Sequence, residues 1–325
     1  MAELVSVLMA TYNGERFLVD QIESILGQDH DELELIAIDD GSVDGTSAIL
    51  AEYKARDRRI SLIDSTGNRG QKQRLAELLT LARGQYISIA DQDDVWAPEK
   101  TRKLLSAIGD AGLAFGRSEL VDEDDSPLGT TLLAGLRVTP APDDRLVALF
   151  RPAVSGHAML AYREMVTDAA FRRAHPYDWL IGIEALFAKG WRYTDEAVVR
   201  HRIHGGNQSN ASIIRRTTAR PPFAVRLFRE SRKLLHPGRG SWQWFKRQRF
   251  VLRLEHLGHS PLVPADFARG CLRLRDACTN AWYGEGAYGA VRRRDLKGLM
   301  EELLQPYAGS HRDRVEAERE FSRLA

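Results

Sequence analysis

Asp91, Asp93 and Asp94 place three carboxylates within four positions of one short stretch, Asp91-Gln92-Asp93-Asp94-Val95-Trp96. Three like charges that close raise one another's pKa unless a cation sits among them. Carboxylate oxygens on a turn suit Mg²⁺ or Mn²⁺, which keep open positions for phosphate oxygens. The run Ile87-Ser88-Ile89-Ala90 just before them reads as a buried strand. Pro98 stands where a helix starts, and Glu99 puts an acid in its first turn. Strand, acidic turn and helix is the layout of a metal–diphosphate site at the carboxyl edge of a sheet. A solvated acidic loop is the competing reading of this stretch alone.

The elements that position such a turn repeat along the first hundred residues. Strands are expected at 4–10, 33–38, 60–63 and 87–90, and helices at 17–26, 46–56 and 71–82. Strand, turn, helix recurs four times, which predicts a parallel sheet covered on both faces. The polar turns at Thr11, Asp40, Asn68 and Asp91 then fall at the carboxyl ends of their strands and line one crevice. The first turn carries the single glycine Gly14, where a dinucleotide fingerprint has three, and there is no Walker lysine motif. Phosphates would be held here by metal and side chains.

Composition sets bounds. A chain of 325 residues, 43% hydrophobic, buries a sizeable core in one large or two modest domains. A net charge of +1 argues against a polyanion binder, and no module for nucleic acid is recognised. No secretory start or bilayer-length apolar run is read, and Cys271 and Cys278 lie too far apart on one helix face to bridge. A reduced, cytoplasmic protein is the expectation.

The stretches 5–14, 38–46, 67–70, 84–87 and 91–96 together resemble the inverting family-2 glycosyltransferases of GT-A fold, in order and in spacing. The Asp-Gln-Asp-Asp-Val-Trp form is similar to the rhamnosyltransferase-like branch that builds bacterial surface polysaccharide. The resemblance implies an α/β fold: a Rossmann-like, mostly parallel sheet flanked by helices. It implies a nucleoside diphosphate sugar as donor, dTDP- or UDP-linked, and Mn²⁺ or Mg²⁺ as cofactor. Thr11, Tyr12, Asn13 and Glu15 would border the nucleoside, and Asp40 would accept from a pyrimidine N3–H. Asn68, Gly70, Lys72, Asp91 and Gln92 would complete the donor site. Asp93 would be the principal metal ligand, with Asp94 beside it. The bulky, basic Gln71-Lys72-Gln73-Arg74 departs from the small residues usual in the family.

Further along, 113–121 reads as a strand and 122–125 as a solvated acidic turn rather than a second metal site. A Gly- and Pro-bearing connection at 132–142 would border the acceptor, a glycan or lipid-linked oligosaccharide. Asp178, before an apolar helical run, resembles the family's catalytic base; as a residue type it also suits a helix N-cap. Arg202 and His204 resemble the family's closing Arg-x-His segment, with His204 on the metal or diphosphate. Trp96, His157, Trp179 and Arg202 are the candidates for sugar or acceptor contact, and His201 reads as structural. The domain reading is a catalytic domain over 1–215, divided into a nucleotide half (1–110) and an acceptor half (111–215), then a helical region over 216–325. Aromatic and basic residues mixed over 222–256 suit either a membrane surface or packing on the catalytic domain. A sugar-nucleotide pyrophosphorylase would share sheet and metal turn but wants a Gly-rich, basic first loop. A non-enzymatic sugar- or membrane-binding module would have no use for Asp178 beside an acidic turn.

Overall fold

The computed structural model describes residues 3–136, 145–150, 153–173, 176–205, 239–283, 293–308 and 310–324. The parallel half forms as the alternation predicts. Strands β1 (Val5–Thr11), β2 (Leu33–Asp39), β3 (Ile60–Ile63) and β4 (Tyr86–Ala90) stand in the order β3-β2-β1-β4. Helices α1 (Glu15–Leu26), α2 (Thr46–Arg56) and α3 (Gln71–Leu81) connect them. Every residue of β1 is buried, because helices cover both faces of a parallel sheet. α1 turns Phe17, Leu18, Ile22 and Ile25 inward, one stripe at helical spacing.

Beyond β4 the sheet becomes mixed, in keeping with the mostly parallel sheet expected. The next elements are β5 (Val95–Trp96), α4 (Lys100–Ile108), β6 (Leu113–Val121) and β7 (Pro127–Thr131). Then come α5 (Leu132–Leu136), β8 (Met159–Tyr162), α6 (Asp168–Arg172), α7 (Tyr177–Ala188) and β9 (Trp191–Arg202). β8 runs antiparallel to both β4 and β6, and β9 runs parallel to β6. The two-residue β5 pairs with β9, Val95 opposite Arg200, which pins the acidic turn between two strands of one sheet. α4 starts at Lys100, not at Pro98; Pro98 and Glu99 form the turn before it.

The chain folds as two compact units, one of 1–139 and 153–207 and a second of 140–152 and 208–325. Residues 140–152 group with the second unit; of the 132–142 connection expected to border the acceptor, 137–142 lies outside the described residues. Phe150 stacks on Phe250 with ring centroids 4.9 Å apart, and the Leu146 amide donates to Asp313 at 2.9 Å. That unit is helical: Arg239–Gly258, Ala265–Tyr283, Arg293–Leu304 and His311–Leu324. Phe250, Leu254, Phe267, Leu274 and Phe321 are in its core, with Cys271 and Cys278 buried as free thiols. Of the proposed basic amphipathic stretch, 222–238 lies outside the described residues. Within the described part, Arg253 is buried and Arg247 donates to the Leu324 carbonyl at 2.6 Å, so both serve their own unit. No described helix is long and apolar enough to cross a membrane.

Candidate active site

The crevice is built where the carboxyl ends of β1, β2 and β4 meet, and its first two turns are laced together. Asn13 accepts the Val43 amide at 2.9 Å, and Glu15 accepts the Gly45 amide at 2.9 Å, at the N-terminus of α2. The Gly14 amide donates to Thr46 Oγ1 at 2.8 Å. Asn13 and Glu15 thus hold the second turn, a job the donor-contact expectation did not assign them. Thr11 is also corrected: it is buried, with its hydroxyl turned to Asp39 at 3.2 Å. Tyr12 remains the open side chain of this turn, 47% exposed.

Gln92 ties the first turn to the acidic one. Its side-chain amide accepts from Tyr12 N at 2.8 Å and donates to Tyr12 O at 3.0 Å, a two-point clasp on the backbone. A Cβ on Gly14 would lie 2.5 Å from Gln92 Oε1, so the single glycine of this turn is where that side chain crosses.

Asp40 is buried, and its carboxylate accepts Arg69 N at 2.8 Å, Gly70 N at 2.7 Å and Arg74 Nε at 2.7 Å. That closes the β3–α3 turn. The bulky Arg74 is the buried counter-ion of Asp40, which explains its presence where small residues were expected. Asp39 is the partly exposed carboxylate of the pair, held by Ser42 N at 3.1 Å and Ser42 Oγ at 2.5 Å; sequence reasoning missed it. Asn68 is exposed. Lys72 donates to the Arg173 carbonyl at 2.7 Å, and burial lowers its pKa.

The three acidic side chains separate by environment. Asp91 Oδ1 accepts from Gln71 at 2.9 Å. Asp93 is half-buried, and burial raises its pKa against the pull of His204, with Asp94 and Asp91 adding repulsion. Asp94 is fully buried, and with His157 and His201 it forms a group whose ligand atoms lie within 4.8 Å of one another. Its Oδ1 accepts His201 Nδ1 at 2.8 Å and Arg202 N at 3.1 Å. Burial would raise Asp94, but the charges of His201 and His157 and these hydrogen bonds bring it down to about 2. Burial would likewise lower His201, yet Asp94 lifts it to about 9.

Beneath the turn, His157 stacks on His201, centroids 4.4 Å apart, and both are buried. Trp96 is also buried, under the Lys100 ammonium 3.1 Å from its ring centre. Lys100, overlooked in the sequence, is buried and donates to the His157 carbonyl at 2.6 Å; burial pulls its pKa well down. Trp179 is buried too, and Arg202 is 3% exposed. Arg202 bonds the Asp93 carbonyl, the Glu123 carbonyl and Asp20, riveting three segments together. Trp96, His157, Trp179 and Arg202, the expected sugar or acceptor contacts, are thus all buried. Asp122–Asp125 is a tight turn whose Asp122 carboxylate accepts the Asp124 and Ser126 amides, as a solvated turn would.

His204 meets Asp93, Nε2 to Oδ2, at 2.8 Å. One oxygen and one imidazole nitrogen on the half-buried wall fit a divalent cation, Mn²⁺ better than Mg²⁺ because of the nitrogen. Asp178 lies in the first turn of α7, where Pro176, not Asp178, is the cap. It accepts the Trp179 amide at 2.8 Å. Burial raises its pKa, against bonds from the Trp179 and Gly156 amides, and the charges of His157 and Asp91 act on it. Gly156 is a close approach to α7: a Cβ there would lie 2.6 Å from the Tyr177 hydroxyl.

Residues 6–165 match the model of the family described as Glycosyl transferase family 2. EpsE of Bacillus subtilis (strain 168), a glycosyltransferase, is 32% identical over 198 residues, covering 58% of this chain and 68% of EpsE. TuaG of the same organism, a glycosyltransferase assigned to teichuronic acid biosynthesis, is 35% identical over 127 residues, 38% of this chain. The chain covers 50% of TuaG's length. Among solved structures, residues 1–349 of S. aureus TarS in complex with UDP-GlcNAc superpose with a TM-score of 0.55 at 14% identity, over 99% of this chain and 90% of that one. That likeness is one of fold.

Proposed function

The chain belongs to glycosyl transferase family 2, and from that premise we propose that it is a metal-dependent, inverting glycosyltransferase. It moves a sugar from a nucleoside diphosphate to a hydroxyl of a growing surface polysaccharide, a free glycan or lipid-linked oligosaccharide. The observation that carries this reading is Asp178: a carboxylate of raised pKa, on a different element from the acidic turn, within charge reach of Asp91. A displacement needs a base on the acceptor side and charge neutralisation on the leaving-group side, and two separate elements supply them.

Asp93 and His204 would hold the Mn²⁺ or Mg²⁺, which when bound neutralises the diphosphate. Asp39, partly exposed where Asp40 is enclosed, is the carboxylate we assign to a pyrimidine N3–H, with the exposed Tyr12 ring as the stacking surface. A pyrimidine donor follows. The Asp-Gln-Asp-Asp-Val-Trp resemblance makes dTDP-rhamnose the first sugar to try; UDP-GlcNAc, the ligand of TarS, is the second.

The test is a thermal-shift screen of dTDP-, UDP- and GDP-sugars with Mn²⁺, followed by transfer assays. A donor at a hundred times its Kd stabilises by about 2.7 kcal/mol. NMR of the product anomer should show inversion; retention would reject a single displacement with Asp178 as base. Tight binding of GDP-sugars alone would reject the pyrimidine assignment.

A further inference from the structure

Phe17 is buried, but not in the company its neighbours on α1 keep. The apolar cluster about the sheet takes in Leu18, Ile22 and Ile25 from that helix, and among the described residues Phe17 is not part of it. Its ring meets two guanidinium groups and an imidazole. The Arg202 guanidinium carbon lies 4.7 Å from the ring centre and the Arg16 guanidinium carbon also 4.7 Å. The His204 ring centroid is 4.9 Å away, its plane tilted by 46°. The negative face of a benzene ring attracts cations, so Phe17 suits this company better than an aliphatic side chain would.

These contacts lead to both members of the Asp93–His204 pair. Arg202 Nε donates to the Asp93 carbonyl at 3.1 Å, so a guanidinium that rests on Phe17 also holds the backbone of the acidic turn. Arg202 donates as well to the Glu123 carbonyl at 3.0 Å, and the Glu123 carboxylate pairs with Arg16 at 2.5 Å, which closes a circuit around the ring. His204 points Nε2 at Asp93 Oδ2, 2.8 Å away. That bond fixes where one atom of the imidazole lies, and the contact with Phe17 fixes the plane of the ring. A nitrogen ligand needs both, because its lone pair lies in that plane and the groups around a ligating histidine set its orientation. We infer that Phe17 is a positioning residue for the metal pair, directing the His204 imidazole and, through Arg202, the turn that carries Asp93. The inference rests on the reading in which Asp93 and His204 hold the divalent cation. Mg²⁺ is held by oxygen, whereas Mn²⁺ also accepts imidazole, so a misdirected His204 costs Mn²⁺ more than Mg²⁺.

The experiment is a titration of the tag-free, EDTA-stripped full chain with Mn²⁺ alone, read by electron paramagnetic resonance, with Mg²⁺ as competitor. Phe17→Leu keeps apolar bulk and removes the ring; it should weaken Mn²⁺ binding by about 10-fold or more and lower the preference for Mn²⁺ over Mg²⁺. Phe17→Tyr keeps the ring and should bind as the wild type does. In a His204→Ala background Phe17→Leu should add little further loss of Mn²⁺. Phe17→Met, a flexible apolar side chain, serves the same comparison if Phe17→Leu does not fold. Wild-type Mn²⁺ affinity in the ring-less variants overturns the inference. So does an equal loss of both ions that persists undiminished without His204, which marks a packing role only. Wild-type Mn²⁺ affinity in His204→Ala would overturn the metal-pair reading and this inference with it, whereas a loss in His204→Ala without one in Phe17→Leu overturns this inference alone.

Discussion

His204 Nε2 and Asp93 Oδ2 lie 2.8 Å apart, joining the end of β9's segment to the acidic turn across more than a hundred residues of chain. The two atoms that share a proton in this state would share the cation, so metal binding displaces that proton. Asp93→Asn should remove most Mn²⁺-dependent nucleotide affinity while the fold survives, because the residue is on a turn. His204→Ala should weaken it by a smaller factor. Calorimetry with Mn²⁺ and with EDTA checks both. Equal nucleotide affinity in the two buffers for the wild type would remove this pair from donor binding.

Gly14 and Gln92 should behave as one unit. A Cβ on Gly14 displaces the Gln92 amide and both of its bonds to Tyr12. Two such bonds contribute about 1–3 kcal/mol together. Gly14→Ala should lower stability by about that amount and also weaken nucleotide binding. In a Gln92→Ala background the same change should cost little, since the clash is gone. Denaturant midpoints of the four proteins make the double-mutant cycle, and additivity of the two changes would contradict the coupling.

How far the sequence could be read follows from these residues. The four strand–turn–helix units were legible because their signals are local: apolar runs, helical spacing, and Gly or Asp at each turn. Which of Asp39 and Asp40 faces the crevice was not, since β2 is covered on both faces and carries no alternation. The burial of Asp94 and Trp96 depends on β5 pairing with β9, about a hundred residues away, and no local pattern encodes that. The same holds for 140–152, whose Leu146 and Leu149 are buried in the helical unit. Asp178 was singled out by resemblance; that it accepts the Trp179 amide in the first turn of α7 required the fold.

The buried Asp94–His201 pair sets a stability window in pH. Asp94 has its pKa brought from 3.8 to about 2, so its contribution is present above 3.8 and is lost as pH falls through 2. His201 has its pKa lifted from 6.5 to about 9, so its contribution is full below 6.5 and is lost as pH rises through 9. The pair therefore stabilises most between 3.8 and 6.5. His201→Gln should be less stable than wild type in that window, with the gap in Tm narrowing from pH 6.5 to 9. A gap that is constant across that range would mean that His201 does not carry the charge.

Asp178 is the last group to test, and its chemistry can be followed atom by atom. In the proposed transfer, the acceptor hydroxyl attacks the anomeric carbon as the diphosphate leaves from the opposite face. A sugar hydroxyl is too weak an acid to ionise at neutral pH, so a carboxylate oxygen must take its proton as the bond forms. With Asp93 proposed for the metal and Asp94 buried, Asp178 on α7 is the base proposed. Its raised pKa, from burial, makes it a better base than an exposed aspartate, and the two amides that hold it fix its direction. Asp178→Asn keeps the shape and can still accept the Trp179 amide, but it cannot take the proton. Loss of general-base help costs about 10²–10⁴ in rate, roughly 3–5 kcal/mol of barrier. Nucleotide-sugar affinity should stay at the wild-type value while kcat falls at least about a hundredfold. In the wild type, kcat/KM should fall on the acid side at a pH above the ordinary aspartate value of 3.8, and that limb should vanish in the variant. Near-normal turnover of Asp178→Asn, with the limb intact, would take Asp178 out of the proton transfer and return it to holding the first turn of α7.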